Sequence, residues 1–310
     1  MGAVRRVLIT GASGFIGRAT VDAARDAGLE VVAVQRQAGT NRTGVTYVST
    51  DLTVRDSEET LASALVACDA VIHLAAAMSG DATHHEQLTL GGTERVLAAM
   101  KRVGIGHLTL ASSLAVYDTS TVPLGGELTD TTPLVTANAT RDAYSDAKAK
   151  QEALALNAEL TTVAVLRPGI VYDADHLWNA HLGVAFGPLL FRAASGDPLP
   201  MCHVNRCAAA LVQATLHRAN EIITLVDPVL PTRGQVIETL QQNGWPKLVL
   251  PLPSGLLWAS AGVLAPIASR LPGLLRAPVL RQRLMPMTYR FRPPAGFVLP
   301  TPPFSWKAAA

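Results

Sequence analysis

Three glycines after a short apolar run near the start of the chain constrain its fold more than any other feature. The run is Val7–Ile9, and the glycines are Gly11, Gly14 and Gly17. Consecutive apolar residues with β-branching favour a strand buried on both faces. The first glycine permits a sharp turn, the second lets backbone approach a pyrophosphate, and the third lets the next helix pack closely. The spacing therefore predicts a strand, a turn and a helix at 18–27 whose N-terminus binds phosphate.

The next stretch favours a dinucleotide-binding βαβ unit. A second apolar run, Val31–Val34, follows the helix at the expected distance, and Gln35-Arg36 comes directly after it. An acidic residue near this point bonds the ribose hydroxyls of NAD, whereas an arginine accommodates the 2′-phosphate of NADP. Since Arg36 stands here and no acid does, the sequence favours NADP over NAD. The alternative is that Arg36 is a solvated surface residue.

Length and composition describe a globular protein of one large domain or two closely joined ones. The chain has 310 residues, 49% of them apolar and 16% charged, with a net charge of +2. Nothing in this balance favours nucleic acid as a partner. The three cysteines cannot form a fully paired disulfide framework, and we expect no targeting segment before the first strand. We therefore expect a cytoplasmic protein with a small-molecule substrate and no firm membrane association.

Motifs along the chain identify a known family. The segment Thr10–Gly17 resembles the opening of the extended short-chain dehydrogenase/reductase family, in its NAD-dependent epimerase/dehydratase-like branch. Ala70–Ala76 is similar to the family's V-I-H-L-A-A, Ser112–Tyr117 to S-S-x-x-V-Y, and Leu166–Tyr172 to L-R-P-x-x-V-Y. Tyr144 and Lys148 match the family's Y-x-x-x-K. The resemblance covers about residues 4–240 and grows faint beyond.

The resemblance implies an α/β fold, a Rossmann-type doubly wound parallel sheet with a smaller mixed C-terminal substrate-binding cap. We expect 1–172 to form the NAD(P)-binding domain, with 204–230 returning to it. The cap is expected to take most of 173–310, interleaved with the first domain. Residues 248–275 are unusually apolar but interrupted by prolines, which excludes an unbroken membrane span. They are expected to cover the substrate pocket, to form an apolar gate or to make a peripheral membrane contact.

The cofactor contacts are also implied by the resemblance. They lie in the glycine-rich turn, after the second and third strands, at the end of the fourth strand, and in the L-R-P motif. The expected residues are Gly11, Ser13, Gly14, Phe15, Ile16, Gly17, Arg36, Asp51, Leu52, Leu74, Ala75, Ala76, Tyr144, Lys148, Pro168 and Val171. The alternative role for Asp51 is to cap a helix at 55–67.

Ser113, Tyr144 and Lys148 form a coherent catalytic set. The spacing of Tyr144 and Lys148 places phenol and ammonium on one helix face. A phenol has a pKa of about 10. To bring this pKa to ~7, the lysine and an oxidised nicotinamide would have to stabilise the phenolate by about 4 kcal/mol. Tyr144 would then exchange a proton with a substrate alcohol or carbonyl, while Ser113 fixes the same oxygen. By resemblance, Lys148 also holds the nicotinamide ribose hydroxyls.

Three polar features need separate interpretation. Thr89 stands where the family has an asparagine that orders the active-site backbone or a water chain. The family's proton relay is therefore not carried over to this sequence. His73 is expected to pack inside its strand rather than act in catalysis. The cluster of Cys202, His203 and Cys207 fits no zinc spacing and lacks a fourth ligand, so we predict no metal site.

Local patterns predict three further elements. A helix is expected at 83–101, opened by a capping box from Thr83 to Glu86. A polar loop is expected at 118–141, followed by a helix at 142–158. In the family, the two helices corresponding to 83–101 and 142–158 often form a homodimer interface, so a homodimer is expected by resemblance.

Three functions remain open. The first is an NAD(P)-dependent oxidoreductase acting on a secondary alcohol or ketone, favoured by Arg36, the apolar cap, and Ile170, where nucleotide-sugar members often carry asparagine. The second is a UDP- or dTDP-sugar epimerase, with a diphosphate received by arginines 281, 283, 290 and 292. A 4,6-dehydratase is disfavoured because Leu114 and Ala115 stand where it needs an added acid/base pair. The third is a cofactor-sensing protein without turnover, which ranks last because Tyr144 and Lys148 are both present.

Overall fold

The structure, a computed structural model, describes residues 2–37, 39, 42–136, 142–192, 196–251 and 283–304. Within these residues the strands are β1 (Arg6–Thr10), β2 (Glu30–Gln35), β3 (Val45–Ser49), β4 (Ala70–His73), β5 (His107–Ala111), β6 (Glu127–Thr129), β7 (Thr162–Pro168), β8 (Ile170–Tyr172), β9 (Gly183–Phe186), β10 (Leu189–Arg192), β11 (Met201–His203), β12 (Ile222–Leu225), β13 (Leu248–Pro251) and β14 (Thr288–Arg290). The α-helices are α1 (Phe15–Asp26), α2 (Ser57–Leu65), α3 (Ala82–His85), α4 (Gly91–Val103), α5 (Ala143–Leu156), α6 (Val204–Leu216) and α7 (Arg233–Gln242).

The largest sheet has seven strands in the order β12-β7-β5-β4-β1-β2-β3, and every neighbouring pair is parallel. The strand order reverses between β1 and β4. In open sheets of this kind, ligands bind beyond the carboxyl ends of the strands at such a reversal. This topology confirms the predicted Rossmann-type fold and places the glycine-rich turn, directly after β1, at the binding edge.

Helices cover both faces of the sheet. Alternate residues of β1 point to opposite sides, so Val7 and Ile9 pack in one core cluster with residues of α1 and α6. Leu8 packs on the other side with residues of α2 and α4. Burial on both faces explains why the strand is a continuous apolar run rather than an alternating one.

Smaller sheets lie in the C-terminal part of the chain. The strands β9, β10 and β13 form a three-stranded sheet, and β8 pairs with β11. A further core cluster joins Tyr172, Leu190 and Met201 to Val236 and Ile237 of α7. Most of the apolar stretch at 248–275 lies outside the described residues, since only its first four residues are described, as β13.

Two local predictions are wrong, and the helix predicted at 83–101 is present with one irregularity. The capping box from Thr83 to Glu86 is absent, because the Asp81 carboxylate accepts from the backbone N–H of His84 at 2.9 Å and caps α3 instead. The predicted continuous helix contains a π-helical turn at Glu86–Leu90 before α4. The predicted loop at 118–141 contains β6, which pairs in parallel with β14, so residues far apart in sequence form a strand that no local pattern indicates.

None of the helices in the described part of the chain is long and apolar enough to cross a membrane. The three cysteines are free, in agreement with their odd number.

Candidate active site

The glycine-rich turn has the close approaches that the sequence predicts. Gly11 has a φ of +67°, and a Cβ on it would lie 2.9 Å from the backbone nitrogen of Ala75, at the end of β4. A Cβ on Gly17 would lie 2.1 Å from the carbonyl oxygen of Gly11. Contacts below 3.0 Å with backbone leave no room for a side chain. Gly11 and Gly17 therefore let α1 and β4 both close against the turn.

The N-terminus of α1 fits a dinucleotide pyrophosphate. Gly14 caps this helix with extended backbone and no side-chain acceptor, and its first turn carries no acidic residue. A Cβ on Gly14 would meet only the carbonyl oxygen of Gly11, at 3.2 Å, so no other group fills the space beside the turn. Backbone N–H groups and the positive end of the helix dipole favour an anion there.

The other turn residues lie at the same edge. Ser13 is exposed, and its carbonyl oxygen accepts from the Arg18 side chain at 3.0 Å. The ring of Phe15 lies 4.5 Å from the ring of His176, a residue that follows β8. Ile16 is half-buried and packs against the core beneath α1.

The candidate adenine end combines Arg36, Asp51 and Leu52. Arg36 is exposed just after β2, as the sequence suggests. Asp51 accepts from the backbone N–H and the hydroxyl of Thr53, both at 2.9 Å. These hydrogen bonds lower the pKa of Asp51, and the charge of Arg36 acts in the same direction. Asp51 does not cap α2, because that helix begins six residues later, at Ser57.

The remaining expected cofactor residues follow β4, end β7 and lie in β8, which pairs with β11 in a separate sheet. Leu74, Ala75 and Ala76 follow β4 and are half-buried, in keeping with a surface that faces a cleft. Pro168 ends β7 and is buried, whereas Val171 in β8 is half-buried. The seven-stranded sheet places Leu74–Ala76 and Pro168 at its carboxyl edge, and Val171 follows Pro168 by three residues.

Ser113 and Tyr144 lie close together at this edge. Ser113 follows β5, and its hydroxyl accepts from the backbone N–H of Ala115 at 3.1 Å, which starts a short 3₁₀ turn. Tyr144 lies in the first turn of α5, where Asp142 caps the helix through the backbone N–H of Ser145. Hydrogen bonding with Ser113 stabilises the charged form of Tyr144.

The protein's own groups raise the pKa of Tyr144. Burial raises it above its usual 10, and the charge of Asp142 raises it further, while only Ser113 acts against them. The lowering expected from the sequence depends in part on the charge of an oxidised nicotinamide, which is not among these groups. The protein's own groups therefore keep Tyr144 as a neutral phenol at pH 7.

Lys148 is fully enclosed at the base of the site. Its Nζ donates to the carbonyl oxygen of Ala111 at 2.6 Å and to the Oε1 atom of Gln151 at 2.7 Å. Burial lowers the pKa of Lys148 from 10.5 to about 8, and the carboxylate of Glu152 opposes this shift. The side chain is therefore mostly an ammonium at pH 7.

A buried ion pair beneath the site was not predicted. Arg167 of the L-R-P motif donates to both carboxylate oxygens of Glu152, at 2.9 and 2.6 Å. The Ser112 hydroxyl donates to the same carboxylate, and the Arg167 guanidinium lies 4.9 Å from the ring centre of Tyr117. A bidentate pair of this kind fixes α5 against β7, so it holds the helix that carries Tyr144 and Lys148.

His73 packs inside its strand, as predicted, and its two ring nitrogens bond Thr10 and Thr93. Thr89, at the position of the family's asparagine, accepts from the backbone N–H of Ala77 at 3.0 Å. Sequence reasoning missed Gln151, although a glutamine three residues after Lys148 on a helix is a recognisable neighbour.

The arginines considered for a diphosphate have acidic partners or neighbours where the structure describes them. Arg290 is paired with the carboxylate of Glu127. The backbone of Arg292 donates to Asp130 at 2.7 Å, and Arg283 is half-buried near Asp142. Arg281 lies outside the described residues. No group of three or more metal-binding side chains is found in the described ranges.

Comparison with known proteins gives a family match over more than half of the chain. The sequence model of the NAD dependent epimerase/dehydratase family matches residues 7–180. A 4-hydroxy-2-methyl-3-oxo-4-farnesyl-3,4-dihydroquinoline-1-oxide ketoreductase of Stigmatella aurantiaca is 28% identical, over 89% of this chain and 84% of its own. A 2-alkyl-3-oxoalkanoate reductase of Stenotrophomonas maltophilia (strain K279a) is 31% identical, over 54% of this chain and 51% of its own.

Solved structures share the fold. MoeE5 in complex with UDP-glucose and NAD aligns with a TM-score of 0.67 and 20% identity, over 96% of this chain and 94% of that one. At this identity the likeness supports the architecture alone.

Proposed function

Because the chain belongs to the NAD dependent epimerase/dehydratase family, and is thus an NAD(P)-dependent enzyme of the short-chain dehydrogenase/reductase superfamily, we propose that it is an NADP(H)-linked ketoreductase. Its substrate is a small, largely apolar ketone, reduced to a secondary alcohol. The observation that carries this proposal is the enclosed group of Ser113, Tyr144 and Lys148 at the edge of the sheet that also holds the glycine-rich turn.

Each of the three side chains has a separate role in the reduction. A bound reduced nicotinamide supplies the hydride that reaches the carbonyl carbon. Ser113 orients the carbonyl oxygen, and Tyr144 donates its phenolic proton to that oxygen as negative charge develops on it. Lys148 lies one helical turn further on and stabilises the phenolate that remains. The raised pKa of Tyr144 suits this direction, because a proton donor must carry its proton when the substrate binds.

The cofactor is expected to lie along the carboxyl edge of the sheet. The N-terminus of α1 and the turn around Gly14 hold its pyrophosphate, while Leu74–Ala76, Pro168 and Val171 flank its nicotinamide half. Arg36 selects NADP by pairing with the 2′-phosphate. Asp51 and Leu52 flank the adenine. Lys148 has one N–H beyond those that bond Ala111 and Gln151, and this N–H bonds a ribose hydroxyl.

Two observations favour a ketone over a nucleotide sugar. Ile170 cannot bond a substrate phosphate, and Arg290 is already paired with Glu127. The two curated relatives above are named as reductases of 3-oxo compounds, one of a farnesylated quinoline oxide and one of 2-alkyl-3-oxoalkanoates. The chain spans about half the length of the second, so its substrate class enters here only as support for the proposal.

A homodimer is part of the proposal. A groove of about 790 Å³ lies between α4 and α5, and Leu97 and Leu154 are among the residues that line it. A homodimer formed through this surface would cover these apolar side chains.

Ligand-induced stabilisation tests the proposal. The purified protein is heated with NADPH, NADH, UDP-glucose or dTDP-glucose, and the melting temperature is compared with that of the free protein. We expect the largest rise with NADPH and none with either sugar nucleotide. Oxidation of NADPH is then followed with medium-chain 3-oxoalkanoates and aryl ketones, and Tyr144→Phe is expected to abolish it. A large rise with UDP-glucose would instead indicate the epimerase.

A further inference from the structure

Lys148 is held by a side chain that the family motif does not include. Both Lys148 and Gln151 are buried, at 4% and 1% exposure. We propose that Gln151 is a positioning residue that fixes the ammonium of Lys148 through a closed chain of buried hydrogen bonds reaching to the glycine-rich turn. This inference rests on the proposed catalytic role of Lys148.

The chemistry of the lysine fixes the orientation of the Gln151 amide. An ammonium only donates, so the amide oxygen of Gln151 must face Lys148, at 2.7 Å. The amide nitrogen then points the other way and donates to the Thr93 hydroxyl at 2.8 Å. Exchanging the two amide atoms would oppose donor to donor at Lys148.

The Thr93 hydroxyl in turn fixes the tautomer of His73. Its one proton goes to the carbonyl oxygen of Thr89 at 2.6 Å, so its lone pairs accept from its two other neighbours. One of these is Gln151, and the other is the Nε2 atom of His73 at 2.9 Å. Nε2 of His73 therefore carries a proton.

The chain of hydrogen bonds ends at the backbone beside the glycine-rich turn. His73 is neutral, because burial lowers its pKa to about 3, so its Nδ1 atom is an acceptor. It accepts from the Thr10 hydroxyl at 2.6 Å. The Thr10 oxygen accepts in turn from the backbone N–H groups of Leu74 at 3.1 Å and Ala75 at 3.2 Å. Each hydrogen bond from Lys148 to Thr10 thus has one allowed direction.

These hydrogen bonds link two parts of the candidate site that belong to separate sequence motifs. Leu74 and Ala75 lie beside Gly11, where the nicotinamide half of the cofactor is expected, and Lys148 lies under Tyr144. A polar network with all its donors and acceptors used is rigid, whereas one missing member leaves a buried group unsatisfied. Gln151 is the member that reaches the lysine itself.

The pH above which activity falls is expected to depend on the hydrogen bond between Lys148 and Gln151. An acceptor stabilises the ammonium over the neutral amine, so removing it lowers the pKa of Lys148, and a carboxylate in its place raises it. The other ionisable groups near Lys148 come from four elements and stay unchanged in both variants. They are Tyr144 and Glu152 on α5, His73 on β4, His85 on α3, and Arg167 on β7, paired with Glu152.

The experiment compares Gln151→Met and Gln151→Glu with the wild type and with Gln241→Met, an exposed glutamine on α7. The alkaline limb of kcat/KM with NADPH is expected to move down by about one pH unit in Gln151→Met and up by about one in Gln151→Glu. Gln241→Met keeps the wild-type profile. The Kd for NADPH is expected to rise about tenfold in Gln151→Met, as the lysine loses its fixed position. The proposal would be overturned if the alkaline limbs of the two Gln151 variants stayed at the wild-type pH or moved in the same direction.

A measurement on the unmodified protein needs no variant to fold. The ¹⁵N shifts of the histidine rings in the cofactor-free protein are expected to show His73 neutral with its proton on Nε2. A proton on Nδ1 would break the chain and refute the inference. Retention of activity by Tyr144→Phe and Lys148→Met would instead refute the proposed function. If those two variants are inactive and the Gln151 variants keep the wild-type profile, only the positioning role fails.

Discussion

Removing the buried ammonium of Lys148 tests the electrostatics of the site through stability alone. Its pKa falls from 10.5 in the unfolded chain to about 8 in the folded protein. The folded state therefore binds fewer protons than the unfolded state between these two values. Stability must rise with pH across this window, because the penalty for burying the charge disappears as the amine loses its proton.

The magnitude follows from the two pKa values. At pH 7 both states are protonated, and a shift of about 2.5 units corresponds to a penalty of about 3 kcal/mol at 1.36 kcal/mol per unit. At pH 9 the folded lysine is mostly neutral while the unfolded one is still charged, and about 2 kcal/mol of the penalty remains. The wild type thus gains about 1.3 kcal/mol between pH 7 and pH 9 from this one group.

The assay is urea denaturation of wild type and Lys148→Met at pH 7, 8 and 9. The free energy of unfolding of the wild type is expected to gain about 1.3 kcal/mol relative to the variant over this range. Lys150→Met is the matched control. Lys150 lies in the same helix, pairs with Asp146 at the surface and has a raised pKa, so its charge does not change below pH 9. Parallel curves for wild type and Lys148→Met would refute the buried-ammonium account.

Three further changes test other parts of the structure. Gly17→Ala places a methyl group 2.1 Å from the Gly11 carbonyl oxygen, so urea denaturation should show a loss of about 1–3 kcal/mol; Gly196→Ala, where nothing lies within 4 Å, is the control, and an equal effect would contradict the close approach. Arg36→Asp should weaken NADPH binding about tenfold by calorimetry and spare NADH; equal losses would exclude a role for Arg36 at the 2′-phosphate. Leu97→Arg in the groove between α4 and α5 should halve the mass measured by light scattering, while Val66→Arg, at the exposed C-terminal end of α2, should not; an unchanged mass for Leu97→Arg would place any interface elsewhere.

Much of the fold could be predicted because its signals are local. The apolar runs at β1 and β2 and the three glycines between them specify the βαβ unit within a few tens of residues. The helical spacing of Tyr144 and Lys148 likewise follows from neighbours in sequence. These features need no knowledge of what packs against them, and the structure contains them as expected.

The errors and omissions concern features that are set by residues distant in sequence. The pKa of Tyr144 rises because the fold removes water from it, and no sequence pattern reports the extent of that burial. The strand β6 exists because it pairs with residues about 160 positions later. The spacing of Gln151 from Lys148 is local, but its second partner, Thr93, lies 58 residues away in sequence. The catalytic roles of Ser113, Tyr144 and Lys148 and the expected cofactor contacts remain predictions.

The central claim is that Tyr144 and Lys148 meet the nicotinamide end of a cofactor whose pyrophosphate lies on the glycine-rich turn. A crystal structure of the protein with NADP⁺ tests it most directly. The account predicts the pyrophosphate at the N-terminus of α1, the ribose hydroxyls within hydrogen-bond distance of the Lys148 Nζ atom, and the nicotinamide ring beside the Tyr144 hydroxyl. A nicotinamide bound away from these two side chains, or a pyrophosphate away from Gly14, would contradict it.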